Sequence, residues 1–280
     1  MFYQNTLGIV KKFSTPTIAS PSHLQGFWLN HAVQNQSYDG KILFSNVGFC
    51  LSGQVKLSTN NTSHLISAGD MIFTPINLPV VANVPQNKHN DEVLALMLAL
   101  DETDIARVSA HTSPTSKSDE YIALIDDNIA DCLYRIIHLL SQDNAQFLAN
   151  IYRDELLYLL LNSALGSNIK QLANPNSPLV KIKQACQWIQ LHFDQPFKVA
   201  DLAKQVHWGE TQFYRHFRHI TGLTPIGYQK AIRLNHAKSL ILKENLSISE
   251  AGYQVGYESI SQFSREYKRA FGVSPSTQKA

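Results

Sequence analysis

The sequence predicts an α+β protein in which strands come first, helices follow, and a separate all-helical domain comes last. Short apolar segments with period-two alternation run through the first hundred residues, and longer segments with helical spacing follow them. After residue 178 every apolar repeat has the helical period. With 280 residues, 44% of them hydrophobic, the chain is long enough for two packed domains.

Composition and apolar patterning exclude several classes of protein. The longest apolar run, Val93 to Leu100, has eight residues, whereas a membrane span needs about 20, so we expect no membrane contact. The first residues lack the basic-then-apolar pattern of a secretory leader. The three cysteines are odd in number and far apart, which argues against a disulfide framework. We therefore expect a cytoplasmic protein.

A proline-rich polar segment, Asn174 to Pro178, divides the chain, because two prolines among three small polar residues cannot continue a helix. We predict a first domain at residues 1–173, a linker at 174–178 and a second domain at 179–280. Up to Ser177 there are 10 Lys+Arg and 15 Asp+Glu, a net charge of −5; beyond it there are 14 and 7, a net charge of +7. A basic domain is typical of proteins that bind a polyanion, although this charge would also aid solubility.

The first domain is predicted to be a small β-barrel or sandwich followed by two helices. Its seven predicted strands are separated by Gly, Pro and Asn turns such as Thr59 to Thr62, and are Lys41–Phe44, Val47–Leu51, Val55–Ser58, His64–Ile66, Met71–Phe73, Pro79–Val84 and Val93–Leu100. The helices are predicted at Ile122–Leu140 and Phe147–Leu165. In the second helix we expect one buried stripe, formed by Phe147, Leu148, Ile151, Leu156, Leu159 and Leu160.

The second domain is predicted to be a compact bundle of short helices. Its first helix carries one apolar stripe with helical spacing, made by Ile182, Ala185, Cys186, Ile189 and Phe193. The helices that follow are predicted at Val199–Val206, Glu210–Ile220, Pro225–Leu242, Ile248–Val255 and Ser259–Ala270.

An internal repeat is the most informative feature of the second domain. At an offset of fifty residues, like pairs with like: Gln212 with Gln262, Phe213 with Phe263, Arg215 with Arg265, Phe217 with Tyr267, Arg218 with Lys268, Gly222 with Gly272 and Thr224-Pro225 with Ser274-Pro275. Upstream the offset is forty-nine, as in Val199 with Ile248, Val206 with Val255 and Trp208 with Tyr257. The second copy has therefore gained one residue in its turn.

Each copy has the outline of a helix-turn-helix: a short helix, a turn of about four residues and a longer helix with a polar, basic outer face. The longer helix is expected to bury two aromatic rings and to present its opposite face, namely Thr211, Gln212, Tyr214, Arg215, His216 and Arg218, or Ser261, Gln262, Ser264, Arg265 and Lys268. Arginine bonds guanine bidentately, and Gln, Ser and Thr read base edges or hold phosphates. We predict that the two helices enter successive major grooves of double-stranded DNA, about 34 Å apart.

Residues Phe197 to Pro275 resemble the DNA-binding domain of the AraC/XylS family of transcriptional regulators. The second copy carries the family signature nearly intact, in Ser249 to Ser259, Gln262-Phe263-Ser264-Arg265 and Phe271 to Pro275. The first copy departs from it, because Trp208-Gly209 stands where a small or polar helix cap is usual. The resemblance implies that Ile260 contacts a thymine methyl, and that an activator of this family would contact RNA polymerase.

The first domain resembles the cupin-like N-terminal domain of one AraC-type subgroup. The resemblance rests on Val47 to Leu57, Ala68-Gly69-Asp70, Asn77-Leu78-Pro79-Val80, Leu96 to Leu100 and the helix Tyr152 to Leu160. It implies that the barrel senses a small-molecule effector or mediates dimerisation, and that the helices after it form the interface of a homodimer.

Two other functions are compatible with parts of the sequence. The chain could be a small-molecule-binding module whose helical half contacts a protein instead of DNA, and a weak salt dependence of binding would reveal this. A cupin-like barrel could also be a metalloenzyme, but such a site commonly begins with His-x-His, which does not occur here; His64 and His89 are isolated, and His31 precedes the predicted strands. No phosphate loop, nucleophile elbow or Cys-x-x-Cys is present, so we expect no catalysis, metal or cofactor.

Some further side chains could be reactive or bind a metal, but each also has an ordinary structural interpretation. Cys50 could sense an electrophile, but a small buried apolar side chain is the expected role, as for Cys186 in its helical stripe. His216 and His219 stand three residues apart and could bind a metal, although phosphate contact or exposure is favoured. Asp126 and Asp127 are neighbours that point in different directions, and are expected to be solvated.

Overall fold

The computed structural model describes residues 4–33, 37–41, 44–58, 63–76, 79–85, 92–113, 118 and 120–279. These residues form two compact units, one up to Val180 and one from Lys181 onward. Within the described ranges, no helix combines the length and the apolar character that a membrane span requires.

The first unit contains ten strands among its described residues, all paired antiparallel in two sheets. The six-stranded sheet has the order β1-β2-β9-β4-β7-β10 and the four-stranded sheet the order β3-β8-β5-β6. The strands are β1 (Thr17–Pro21), β2 (Phe27–Val33), β3 (Ser37–Lys41), β4 (Asn46–Ser52), β5 (Gln54–Ser58), β6 (Ser63–Ser67), β7 (Asp70–Thr74), β8 (Pro79–Asn83), β9 (Glu92–Ala99) and β10 (Ile122–Leu124).

The core of this unit is shared by the two sheets. Cys50 and Val93 of the six-stranded sheet lie in one apolar cluster with Ile66 of the four-stranded sheet. The strands therefore form two sheets around a common core and not a single closed barrel. The cupin-like character of the domain stays a prediction.

Most of the strand signals correspond to observed strands, but the beginning of the chain was missed. Helix α1 (Gln4–Phe13), β1 and β2 precede all the predicted strands. His31 lies within β2 and not before the strands, and its Nε2 is 3.0 Å from Glu92 Oε2. Some residues named in the sequence predictions lie outside the described residues, namely Ile42, Leu43, Thr59–Thr62, Asn77, Leu78 and His89.

The prediction of one helix from Ile122 to Leu140 is wrong at its start. Ile122–Leu124 is strand β10, which pairs with β7 through Ile122 and Ile72. Helix α3 (Asp127–Leu139) begins only after Asp126, whose Oδ1 accepts the Ile129 N–H at 2.9 Å. Asp126 is thus an N-cap that stops the helix from extending backwards, and not merely a solvated carboxylate.

The predicted buried stripe of the next helix is also wrong in its first half. In α4 (Gln146–Leu161), Leu156 and Leu160 are buried, but Phe147 is 75% exposed and Ile151 47% exposed. The remaining helical elements of this region are α2 (Glu102–Ser109), α5 (Gly166–Lys170) and a 3-10 turn at Gln171–Ala173. Helices α3 and α4 are joined by a bidentate ion pair between Arg135 and Glu155.

The segment predicted as a linker forms a short turn. The Ser177 hydroxyl is buried, donates to the Gln171 carbonyl at 2.8 Å and accepts the Val180 N–H at 3.1 Å. Helix α6 begins at Pro178. The domain limits at residues 173 and 179 stay a prediction.

Helix α9 organises the second unit. Tyr228 of α9 (Pro225–Lys243) meets Phe217 of α8 (Glu210–Thr221) edge-on at 5.7 Å. Leu240 of α9 shares a core cluster with Phe263 and Tyr267 of α11 (Ile260–Phe271). Both halves of the repeat thus pack on one helix. The helices from this region are α6 (Pro178–Leu191), α7 (Val199–Gln205), α8 (Glu210–Thr221), α9 (Pro225–Lys243), α10 (Ile248–Gln254), α11 (Ile260–Phe271) and α12 (Pro275–Lys279).

Candidate nucleic-acid interface

The repeat seen in the sequence is a repeat of structure. Helices α7 and α8 form the first helix-turn-helix, and α10 and α11 form the second. The first helices begin forty-nine residues apart, at Val199 and Ile248, and the second helices fifty apart, at Glu210 and Ile260. The extra residue lies in the second turn, as the sequence predicts.

In the first copy, the turn is made without help from side-chain caps. His207 has φ +56°, a conformation that costs a non-glycine residue about 1–2 kcal/mol. Gly209 occupies the N-cap of α8 and has no side chain to accept the first helical N–H groups. The helix is stabilised instead by core packing, because Phe213 and Phe217 are fully buried.

In the second copy, local hydrogen bonds define both helix starts. Ser247 and Glu250 form a reciprocal capping box at the start of α10. The Ser259 hydroxyl accepts the Gln262 N–H at 3.3 Å at the start of α11. The turn residue is Gly256, with φ +84°, which glycine adopts without strain.

The residues predicted to contact DNA fall on the outer faces of α8 and α11. Eight of them are exposed: Thr211, Gln212, Arg215, Arg218, Ser261, Gln262, Arg265 and Lys268. Tyr214 and Ser264 are half-buried, and so is Ile260, whose side chain end lies against Gly252. Each helix therefore presents a polar face with at least two basic side chains, a pattern suited to phosphate and base contacts.

His216 was expected on this outer face, but the structure places it differently. Its ring is half-buried and stacks on Trp208 at 4.7 Å, and the Lys181 ammonium lies 5.0 Å from the centre of the Trp208 ring. Burial, with the charges of Arg215 and His219, lowers the pKa of His216 below its ordinary value. His216 therefore belongs to the packing between turn and helix.

The equivalent position in the second copy is Glu266, which sequence reasoning did not single out. Its carboxylate accepts hydrogen bonds from Lys230 Nζ at 2.7 Å, the Tyr257 hydroxyl at 2.9 Å and Gln262 Nε2 at 3.2 Å. Burial would raise the pKa of Glu266, but these donors outweigh it and hold the pKa below its ordinary value. Two features of the sequence could have identified Glu266. The repeat offset of fifty residues aligns it with His216, and it lies four residues after Gln262, on the same side of the helix.

Neither a reactive thiol nor a metal cluster is found among the described residues. Cys50, Cys132 and Cys186 are all buried. Burial, together with the charge of Asp70, raises the pKa of Cys50 to about 12, so its thiol stays protonated at neutral pH. No group of three His, Cys, Asp or Glu side chains within the described ranges could hold a metal ion.

Comparison with known families decides the identity of the chain. The model described as the AraC-type transcriptional regulator N-terminus matches residues 25–168, which is 144 of the 280 residues. The chain belongs to this family. A helix-turn-helix domain model matches residues 202–280, the part that holds both copies of the repeat. This AraC-type regulator is therefore a sequence-specific DNA-binding protein that regulates transcription, and not an enzyme.

Individual relatives resemble the protein over most of its length. The HTH-type transcriptional regulator ExsA of Pseudomonas aeruginosa is 23% identical over 237 residues, covering 81% of this chain and 82% of ExsA. The probable transcriptional regulator LumQ of Photobacterium leiognathi is 25% identical, covering 80% of this chain and 85% of LumQ. The crystal structure of ToxT from Vibrio cholerae shares the fold with a TM-score of 0.52 at 15% identity, covering 93% of this chain and 97% of ToxT.

Proposed function

We propose that α8 and α11 are the two recognition helices of this regulator and that they enter successive major grooves. The carrying observation is that both copies expose an equivalent polar, basic face while their aromatic faces pack on the same helix, α9. Base readout is assigned to Thr211, Tyr214 and Arg215 in α8 and to Ser261, Gln262, Ser264 and Arg265 in α11. Gln212, Arg218 and Lys268 flank these positions and are assigned to phosphates, with Ile260 at a thymine methyl.

Selection of bound sequences from random duplex DNA by the full-length chain tests this proposal. Two enriched boxes about one helical turn, 10 base pairs, apart are expected. A phosphate-dominated contact also weakens by orders of magnitude between about 50 and 200 mM salt. A single box would contradict the role of one recognition helix, and salt-independent binding would favour a protein partner for the helical half.

We also propose that the protein forms a homodimer through an apolar face of α4. This face consists of Phe147, Leu148, Ile151 and Tyr158, with Tyr134 of α3 among the other exposed large apolar side chains. Phe147, Ile151 and Tyr158 are spaced by four and seven residues, which places them on the same side of the helix. An exposed apolar surface of this kind typically marks an interaction site.

Sedimentation of an Ile151→Lys variant tests the dimer. The variant is expected to sediment as a monomer at concentrations at which the wild type is a dimer, because a charge cannot be buried unpaired in an apolar interface. Leu65→Lys is the matched control, since Leu65 is also exposed but lies on β6. Equal sedimentation of Ile151→Lys and wild type would contradict the proposal.

We propose that the first unit binds a small-molecule effector and that the protein acts in the cytoplasm, contacting RNA polymerase if it activates transcription. The support for an effector is the fold shared with ToxT, whose structure was determined with a bound unsaturated fatty acid. An unsaturated fatty acid is therefore the first probe. A raised melting temperature and a changed DNA affinity are expected, and the absence of both would exclude this class of effector.

A further inference from the structure

The side-chain amide of Gln262 is hydrogen-bonded to a carboxylate on its own helix. Gln262 Nε2 donates to Glu266 Oε1 at 3.2 Å, one helical turn further along α11. An ionised carboxylate only accepts hydrogen bonds, so the nitrogen end of the amide must face Glu266. The orientation of the amide, normally ambiguous between oxygen and nitrogen, follows here from the chemistry of the partner.

Glu266 itself is held by groups from two other elements. Lys230 of α9 donates to the same oxygen, Oε1, and the Tyr257 hydroxyl donates to Oε2. Tyr257 is buried in the core cluster of the second copy, where its ring packs against Phe263 at 5.2 Å. With its side chain only 17% exposed, Glu266 is a supported acceptor and not a freely rotating surface carboxylate.

This arrangement leaves the carbonyl oxygen of Gln262 as the acceptor directed away from Glu266. In the major groove, adenine N6 and cytosine N4 are donors, whereas guanine O6 and N7 and thymine O4 are acceptors. The amide nitrogen carries two N–H groups, of which Glu266 engages one, so the amide can offer its oxygen together with the second N–H. That pair matches the N6 donor and the N7 acceptor of adenine, and the oxygen alone also finds a donor on cytosine. With the amide oxygen held in this direction, guanine and thymine offer it no donor and are disfavoured.

We propose that Glu266 is a positioning residue that makes the second recognition helix favour an exocyclic amino group, on adenine or cytosine, at one base of its site. The inference rests on the proposed function in one respect, the assignment of Gln262 as a base-reading residue. The first copy lacks this hydrogen-bonded Gln–Glu pair, because His216 occupies the position of Glu266 and stacks on Trp208. The preference is therefore expected in one of the two boxes only.

The test is selection of bound duplexes by full-length wild type, Gln262→Ala and Glu266→Gln. Wild type is expected to prefer adenine or cytosine at one position of one box by about 5- to 150-fold, the range of one good base contact. Gln262→Ala should lose this preference. Glu266→Gln should also reduce it to below about threefold while leaving the other positions unchanged. A carboxamide at position 266 can donate as well as accept, so it no longer fixes which end of the Gln262 amide faces it.

Lys230→Met is the matched control. It removes the ion pair of Glu266 but leaves the bond from Gln262, so it should keep the adenine or cytosine preference even if it lowers the melting temperature. Circular dichroism confirms that each variant is folded. Loss of the preference in Lys230→Met but not in Glu266→Gln would overturn the proposal, since that result assigns the effect to general stability.

The remaining outcomes separate this inference from the proposed function. If Arg265→Ala relaxes its own base position while Gln262→Ala or Glu266→Gln changes none, the positioning role is wrong and α11 remains a recognition helix. If none of the three variants changes any base preference, the assignment of α11 to base reading is wrong as well, and the positioning role falls with it.

Discussion

The two helix-turn-helix copies have equivalent cores but different turns. Phe213 and Phe217 in the first copy and Phe263 and Tyr267 in the second are all fully buried, and both α8 and α11 end at a left-handed glycine. The positions that pack on α9 have therefore kept their character between the copies. The turns and the helix caps have diverged, which indicates that packing is repeated while local stabilisation is specific to each copy.

The divergence is clearest at the helix starts. The second copy has a capping box at Ser247 and an N-cap serine at Ser259, and each such cap contributes about 1 kcal/mol. The first copy has Lys198 and Gly209 at these positions, without side-chain caps. Its compensation is the stack of Lys181, Trp208 and His216, which ties the turn to α8 by ring contacts.

The largest expected effect concerns the turn residue. An added Cβ at Gly256 would lie 2.0 Å from the Asp194 carbonyl oxygen, and its φ is +84°. Gly256→Ala should therefore lower the free energy of unfolding by about 3–5 kcal/mol, measured by urea unfolding with circular dichroism. His207→Ala, at the equivalent position of the first copy, replaces one non-glycine residue by another and should change it by less than about 0.5 kcal/mol. Equal effects would show that the turns are interchangeable.

The sequence predicts the helical unit better than the first unit for a physical reason. Each helix of the repeat has its own apolar period and its own cap or turn signal, so local patterns are sufficient. In contrast, β10 is a strand only because it pairs with β7, and the Phe147 end of α4 is exposed although its spacing is helical. Both features depend on contacts with other parts of the fold, and a local sequence pattern does not contain this information.

The candidate site shows the same limit. Exposed positions such as Arg215 and Arg265 follow from helical spacing alone, and the structure leaves them exposed. The contacts of His216 and Glu266 depend on Trp208, Tyr257 and Lys230, which reach them from turns or from α9. Contacts from other elements thus half-bury side chains on the outer side of α8 and α11.

The paired arginines give the next largest effect. Arg265→Ala should weaken specific binding by about 1–3 kcal/mol and relax one base position, because a bidentate contact to guanine is lost. Arg215→Ala should do the same in the other box. Competition between specific and scrambled duplexes at fixed salt measures both variants. If Arg265→Ala binds both duplexes as well as wild type does, its assignment to base reading is wrong.

The smallest expected effect is a difference between the two copies in how stability depends on pH. Because burial lowers the pKa of His216 in the folded protein, the unfolded chain takes up that proton first as the pH falls through about 6.5. The first copy therefore loses stability over this window, since the unfolded state binds more protons than the folded state. The pKa of Glu266 is also lowered, so its contribution is fully present above about 4.5 and is lost only below that pH.

Urea unfolding of wild type and His216→Gln at about pH 7.5 and pH 5.5 isolates the histidine. Wild type should lose more free energy of unfolding between these two conditions than His216→Gln does, because glutamine does not titrate. Glu266→Gln is the matched control and should lose as much as wild type, since the Glu266 carboxyl stays ionised throughout. Equal losses in wild type and His216→Gln would mean that the Trp208 stack accommodates the charged imidazole ring as well as the neutral one.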